Sequence, residues 1–450
     1  MKRFRVTAAS ICVIFALSLF LIPFAKADWA MFRANPTNDG VGTGNPVLTP
    51  TLLWKSNISE VAPASFVDRW GPASVETSWS TPAVVDGIVY IASGTQVRGQ
   101  SGYGGVDWGD IYAFNANSGT HVWAYRDNSS DGYGILSPAV VNGVVFFGFS
   151  DGFGALNASN GVSLWNFAGE AVSSSPVVAG NVVYVGIEGN VYALNATSGA
   201  QLWNSTSGSA GSPAVVDGVI YVGSCNGSIY ALNAKNGDKL WNYITNEIIG
   251  SSCAVANGIV YIGSFDDNVY ALNTKDSHQL WNFTTGNFVA SSPAVVGGVF
   301  YVGSEDGNVY ALNAKNGIQL WKYKTGDTIA SSPAVVNGVV YVNTYLTDEL
   351  YALNATNGEQ LWNYTINGVA SSIVQSAAVD NGVLYIGSAN DQVYALGSPM
   401  PSPSPTLPPS FTWSNTLPII VGVVVAVAIV TAAVFIVLLK KLKTKTKNPP

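Results

Sequence analysis

Arginine is rare in this chain. Beyond residue 27 only Arg33, Arg69, Arg98 and Arg126 occur, and none follows. Two unusual segments hold two of them. SFVDRWGPASVETSWS (65–80) carries Arg69, Trp70 and Trp79, and GTQVRGQSGYGGVDWGD (94–110) carries Arg98, Tyr103 and Trp108. A third segment sets Arg126 beside Tyr125 and, further on, Tyr133. A guanidinium fork presents parallel N–H donors to a carboxylate, and a flat aromatic face suits a sugar ring or a partner's side chain. These residues form the candidate ligand-binding set. The competing expectation is structural: the tryptophans pack inward, the arginines pair with Asp68, Asp107 or Asp127, and the segments plug an opening.

The other reactive side chains offer less. His121 and His278 lie in different repeats, and two isolated histidines do not suggest a metal site. Asp151, Asp267, Asp306 and Asp391 fall in tight turns, where a short carboxylate bonds its own backbone. No glycine-rich phosphate loop and no Ser/His/Asp order stands out. No catalytic residue and no metal site is expected.

Both ends of the chain read as membrane signals. Lys2, Arg3 and Arg5 precede an apolar run and then Ala25-Lys26-Ala27, so residues 1–27 are expected to be a signal peptide cleaved before Asp28. LPIIVGVVVAVAIVTAAVFIVLL (417–439) is 23 residues without a charge, enough to cross a bilayer as a helix. The basic tail 440–450 then stays cytoplasmic, and residues 28–396 lie outside the cell. Residues 397–416 are a Pro/Ser stalk. All 27 acids lie between the basic ends and face eleven Lys+Arg there, a net charge of −16. So acidic a surface argues against nucleic acid, whose phosphates need a basic footprint.

Export changes how cysteine is read. Cys12 leaves with the signal, and Cys225 and Cys253 can pair in an oxidising compartment. Equally, Cys253 replaces the proline of its sister repeats (Pro213, Pro293, Pro333) and suits a buried thiol. Asn57, Asn128, Asn157, Asn195, Asn204, Asn226, Asn282, Asn354 and Asn363 head Asn-x-Ser/Thr sequences, which fit an exported glycoprotein. A repeat that writes LNAT and LWNYT also creates such sites simply by copying itself.

The unusual segments interrupt a strict repeat. Trp165, Trp203, Trp241, Trp281, Trp321 and Trp362 recur every 38 to 41 residues, with Trp123 one unit earlier. One unit, SSPAVVGGVFYVGSEDGNVYALNAKNGIQLWKY (291–323), predicts four short strands at 294–296, 299–304, 308–313 and 319–323. Asp-Gly and Asn-Gly mark the turns between them. Four antiparallel strands per forty residues make a propeller blade. Eight units begin near Pro82, Pro138, Pro176, Pro213, Cys253, Pro293, Pro333 and Ala377. The eighth lacks its Leu-Trp strand, and an orphan, TLLWKS (51–56) with Trp54, stands upstream. The sequence therefore predicts an all-β, eight-bladed propeller closed by its N-terminal strand. The long insertions all fall on one face, the top, where fourth-to-first and second-to-third connections emerge, and they cluster around the closure.

YALNATSGAQLW (192–203), YALNAKNGDKLW (230–241) and YALNATNGEQLW (351–362) resemble the quinoprotein repeat family, named for enzymes that bind pyrroloquinoline quinone (PQQ). The likeness runs from Trp54 to Leu396. It implies that Trp54, Trp123, Trp165, Trp203, Trp241, Trp281, Trp321 and Trp362 dock neighbouring blades. The family's dehydrogenases are recognised by an adjacent cysteine pair, a catalytic aspartate and calcium ligands, and none of these can be placed here. PQQ with calcium is expected only if the chain is a membrane-anchored dehydrogenase. The leading expectation is a cell-surface binding or scaffold module that contacts an envelope component, a glycan or a protein. A third expectation rests on similarity to exported propellers that assemble outer-membrane proteins, which DWAMFRANPTNDGVG (28–42) also resembles.

Overall fold

Turn chemistry sets the blade. The computed structural model describes residues 34–35, 37–38, 40–42, 44–57, 74–98, 107–126, 136–149, 152–169, 171–208, 211–366, 375–388 and 392–397. In the unit quoted above the strands are Ala294–Val296, Val299–Gly303, Asn308–Asn313 and Gln319–Lys324. Gly297, Gly298, Gly307 and Gly317 between them take φ from +59° to +79°, where a side chain is strained and glycine is not. The second and third strands are buried along almost their whole length, because neighbouring blades cover both of their faces. The outermost strand alternates, burying Trp321 and exposing Leu320 and Lys322.

Eight such sheets form, seven of four strands and one of five. In the last blade Thr51–Asn57 pairs with Gln392–Gly397, Trp54 lying opposite Ala395, so the first strand of the chain completes the final blade. Gly397, expected to open the stalk, is the last residue of that strand. Pro399–Pro450 forms a separate unit that lies outside the described residues, as do residues 1–33. Among the described residues no helix is long and apolar enough to cross a membrane; the run 417–439 is not among them.

Two devices join blade to blade. On the outer side each repeat tryptophan donates its indole N–H to a backbone carbonyl of the next blade at 2.8–3.1 Å, from Trp123 to Ala158 round to Trp54 and Ala116. Trp362 finds the carbonyl of Val47 in that role, because the eighth blade takes its outer strand from the N-terminus. A turn glycine lies flat on most of these rings: a Cβ at Gly358 would come within 2.7 Å of Trp321, and at Gly119 within 2.5 Å of Trp54. Tyrosines of the second strands share the same acceptors, as Tyr261 and Tyr301 do with Ala314 and Ala355. Burial pushes both hydroxyls up to about 12, so they remain donors.

Toward the axis the first strands of adjacent blades lie side by side. Here Thr81, Ser137, Ser175, Ser212, Ser252, Ser292, Ser332 and Ser376 form a closed circle. The backbone N–H of each donates to the hydroxyl of the next at 2.9–3.2 Å, and Ser376 returns to Thr81.

The sequence gives no hint of what fills the inner edges of the first strands. It is the N-terminal segment: Thr37 accepts from Val255, Asn38 donates to the carbonyl of Pro213, and Gly40 and Gly42 bracket Val335. Asn38 is 1% exposed. The plug expected of the top segments concerns residues that lie largely outside the described ones.

Candidate functional site

The top face is where blade one departs from its sisters. Its second and third strands, Ile88–Arg98 and Asp107–Asn115, run 11 and 9 residues against 5 and 6 in blade six. An additional strand, Ser74–Trp79, pairs with the extension of the second, Ser74 opposite Arg98 and Trp79 opposite Ser93. Segments that read as loops therefore continue the sheet beyond the ring, because antiparallel register lets an inserted stretch keep its backbone hydrogen bonds by lengthening two strands together.

At the root of this extension Asp110 lies directly opposite Arg126. The guanidinium grips the carboxylate with two bonds, Nε to Oδ1 and an Nη to Oδ2, both 3.0 Å. The hydroxyl of Tyr112 adds a third to Oδ2 at 2.9 Å. Asp110 is 6% exposed, so its charge depends on these partners. The hydrogen bond from the guanidinium to Asp110 outweighs burial and raises the Arg126 pKa further, and burial beside the carboxylate raises that of Tyr112. Arg126 thus pairs with Asp110 and braces the extension, while Asp68, Asp127 and the side chain of Asp107 lie outside the described residues. Arg69, Trp70 and Tyr103 lie outside the described residues, and so do the side chains of Trp79, Arg98 and Trp108, whose backbones stand on the extension.

Blades four to seven carry short top turns instead, and carboxylates wire them together. Asp266 accepts from the N–H of Asn246 and the hydroxyl of Tyr270, and Asp306 accepts from Gly286 and Tyr310. Asp327 accepts from Leu346 and Thr347. Each carboxylate bridges two blades. Burial pushes the Asp306 carboxyl up, but hydrogen bonds from Tyr310, Asn308 and Gly286 outweigh it and hold it below the usual carboxylate range. Asp327 is held low in the same way by Thr347, Leu346 and Thr328. Beside these turns Phe265 stacks on Phe288 with centroids 5.4 Å apart, and Phe288 is 44% exposed. Both residues sit at positions where the repeat varies freely, Cys225 and Glu305 matching the first and Ile248 and Thr328 the second, so the sequence carries no signal for this pair.

The remaining candidates scatter. His121 leans edge-on against Tyr112 and Phe114, and burial lowers its pKa. His278 is exposed in a turn. Asp267 takes φ +67°, while Asp151 and Asp391 lie outside the described residues. Cys225 is exposed and Cys253 buried, each a free thiol, and burial raises the Cys253 pKa. Asn204, Asn282 and Asn363 stand exposed on outermost strands. Asn157, Asn195 and Asn354 use their side-chain oxygens to cap turns, Asn226 donates to Tyr230, Asn57 ends its strand, and Asn128 is not described.

The PQQ and calcium of the family's dehydrogenases find no matching set among the described residues: no three His, Cys, Asp or Glu side chains converge, and the two cysteines are not neighbours.

An eight-bladed ring of four-stranded sheets with docking tryptophans defines a quinoprotein-type propeller. The family described as outer membrane protein assembly factor BamB matches residues 51–171, 154–252 and 245–399, and the chain belongs to this PQQ-like repeat family. Among solved structures, BamB from Moraxella catarrhalis is similar at 16% identity and a TM-score of 0.57, over 78% of this chain and all of that one. The quinohemoprotein alcohol dehydrogenase from Comamonas testosteroni is similar at 13% identity and a TM-score of 0.61, over 84% and 82%. The computationally designed Ika8 protein aligns at 15% identity and 0.60, over 73% and 98%. At such identities the likeness is one of fold. No curated protein matches the chain.

Proposed function

We propose that this chain is a single-pass surface protein that displays its propeller as a binding and scaffold module. In this reading residues 1–27 direct export, 417–439 span the membrane, 440–450 remain cytoplasmic and the Pro/Ser stalk lifts the ring from the bilayer. The top face near the closure contacts an envelope component, a glycan or a protein. One observation carries the reading: among the described residues a strand is added, and two are extended by several residues, only where blade one meets that face, whereas the second-to-third turns of blades three to seven differ by a residue or two. Fold alone assigns no ligand, whereas an elaboration confined to one face marks where a scaffold has been put to use. Arg69 and Arg98, with Trp70, Trp79, Tyr103 and Trp108, make the contact, and Arg126 supports it from below.

The test keeps Arg126 in place. Arg69→Ala with Arg98→Ala is expected to abolish binding to isolated cell envelopes while leaving the melting temperature unchanged. Retained binding would sink the assignment. A second reading follows from the family's description, assembly of envelope proteins. Depletion of the chain should then lower the amount of folded membrane protein, and under the first reading it should not.

A further inference from the structure

The opposite, bottom face holds a feature that neither the repeat nor the proposed function uses. A cleft of about 710 Å³ opens between blades four and five. Its floor includes Tyr221, Leu240 and Trp241, and its rim carries Asp217, Asn257 and Lys275. Small-molecule sites commonly have this size and this mixture of an apolar floor with a few polar groups.

Departures from the repeat shape the cleft. Ala256 stands where blades four, six and seven place Val216, Val296 and Val336, removing two methyl groups from the wall. Asn257, at φ +52°, keeps the Asn or Asp that Asn142, Asp217, Asn337 and Asn381 also place at this turn, and so gives the rim an amide that blade six lacks at Gly297. Thr274 replaces the alanine found at Ala234 and Ala314, and its carbonyl receives the indole N–H of Trp241 and the hydroxyl of Tyr221. Tyr221 is buried beneath the cleft, and Trp241, with its N–H so occupied, offers it apolar surface beside the exposed Leu240. Trp241 is half-buried, while Trp281 and Trp321 are 7% exposed.

The chemistry on the rim selects the ligand. Asp217 accepts hydrogen bonds, Lys275 donates them and Asn257 does both. Their charges cancel, which favours a neutral molecule over an anion or a cation. A neutral molecule with one apolar face and an edge of groups that donate and accept is a pyranose. We propose that this cleft binds a pyranose ring, its C–H face toward Leu240 and Trp241 and its hydroxyls toward Asp217, Asn257 and Lys275. The site lies at the opposite end of the blades from the top-face segments and stands independently of the function proposed for them.

The test transplants the corner of blade six. Ala256→Val with Asn257→Gly recreates Val296-Gly297, a pair this fold already accommodates, so the variant is expected to melt where the parent does. Saturation-transfer NMR would be recorded on the full chain in a detergent without a sugar headgroup, with methyl β-D-glucopyranoside and N-acetyl-D-glucosamine as probes. Transfer to the ring protons of either sugar in the parent, weakened at least ~10-fold in the variant, is the expected result. No transfer to either sugar overturns the proposal, as does equal binding by parent and variant. Transfer to cyclohexanol in the absence of sugar binding also overturns it, since the rim would then play no part.

Discussion

Blades four to seven and the closure between blades eight and one are built from the same repeat, yet their top faces are stabilised in opposite ways. In the regular arc, Asp266, Asp306 and Asp327 each tie one blade to the next through backbone N–H groups, and tyrosine hydroxyls brace the first two from within their own blade. At the closure the charged contact is internal to one blade: Arg126 and Asp110 face each other on paired strands and brace a sheet extended past the ring. Carboxylates in the arc hold neighbours together, whereas the pair in blade one supports an added structure. The difference shows that an arginine in an unusual segment can belong to the framework.

Substitutions can break or sharpen this contrast. The largest effects are expected at the tryptophans, which both regions share. Trp321→Ala in the arc and Trp54→Ala at the closure should each cost about 3–5 kcal/mol by denaturant titration, and a much smaller loss at Trp54 would mean that the ring is only loosely shut. Next comes the internal pair. Arg126→Met leaves a buried carboxylate without its cation and should cost about 2–3 kcal/mol, while Arg126→Met with Asp110→Leu should recover part of that loss. An additive double variant would show that the two side chains do not depend on each other.

The arc should respond to acid. The folded-state pKa values of Asp306 and Asp327 are depressed, so the stability they add is complete above the unfolded value near 4 and is lost as pH falls through the folded one. Amide protection factors in blades five to seven, corrected for the intrinsic exchange rate, should therefore fall below about pH 4, and Asp306→Asn should flatten that dependence. The smallest effect tests uniformity within the arc. Ser277, at φ +59°, occupies the turn position that is glycine at Gly237 and Gly317, and Ser277→Gly should raise stability by about 1 kcal/mol.

Where the chain repeats, sequence alone carries most of the structure. In the unit 291–323 the strand ends fall within one residue of expectation, because Gly and Asn-Gly turns permit few alternatives. Closure by Trp54 was legible from a count: eight starts, but a last unit lacking its final strand. Where the repeat stops, legibility stops with it. Ser74–Trp79 pairs with a stretch that has no counterpart in other blades, so no periodicity announces it. The segment before residue 48 is shaped by the space it enters, and its backbone bonds to Val255, Pro213 and Val335 have no local signature. The pairing of Arg126 with Asp110 was within reach. Aligning the third and fourth strands of blade one by their neighbours sets the two opposite each other, whereas nearness along the chain pointed to Asp107 and Asp127.

The circle of hydroxyls bears on how such a chain could be cut and rejoined. Every link has the same sense, amide of one blade to hydroxyl of the next, and Ser376 to Thr81 differs from the others only in crossing between distant parts of the sequence. A ring wired this way has no origin. The start of the chain is a matter of covalent order, and a permuted chain that opened at another outer strand would find the same partners in the same rotation.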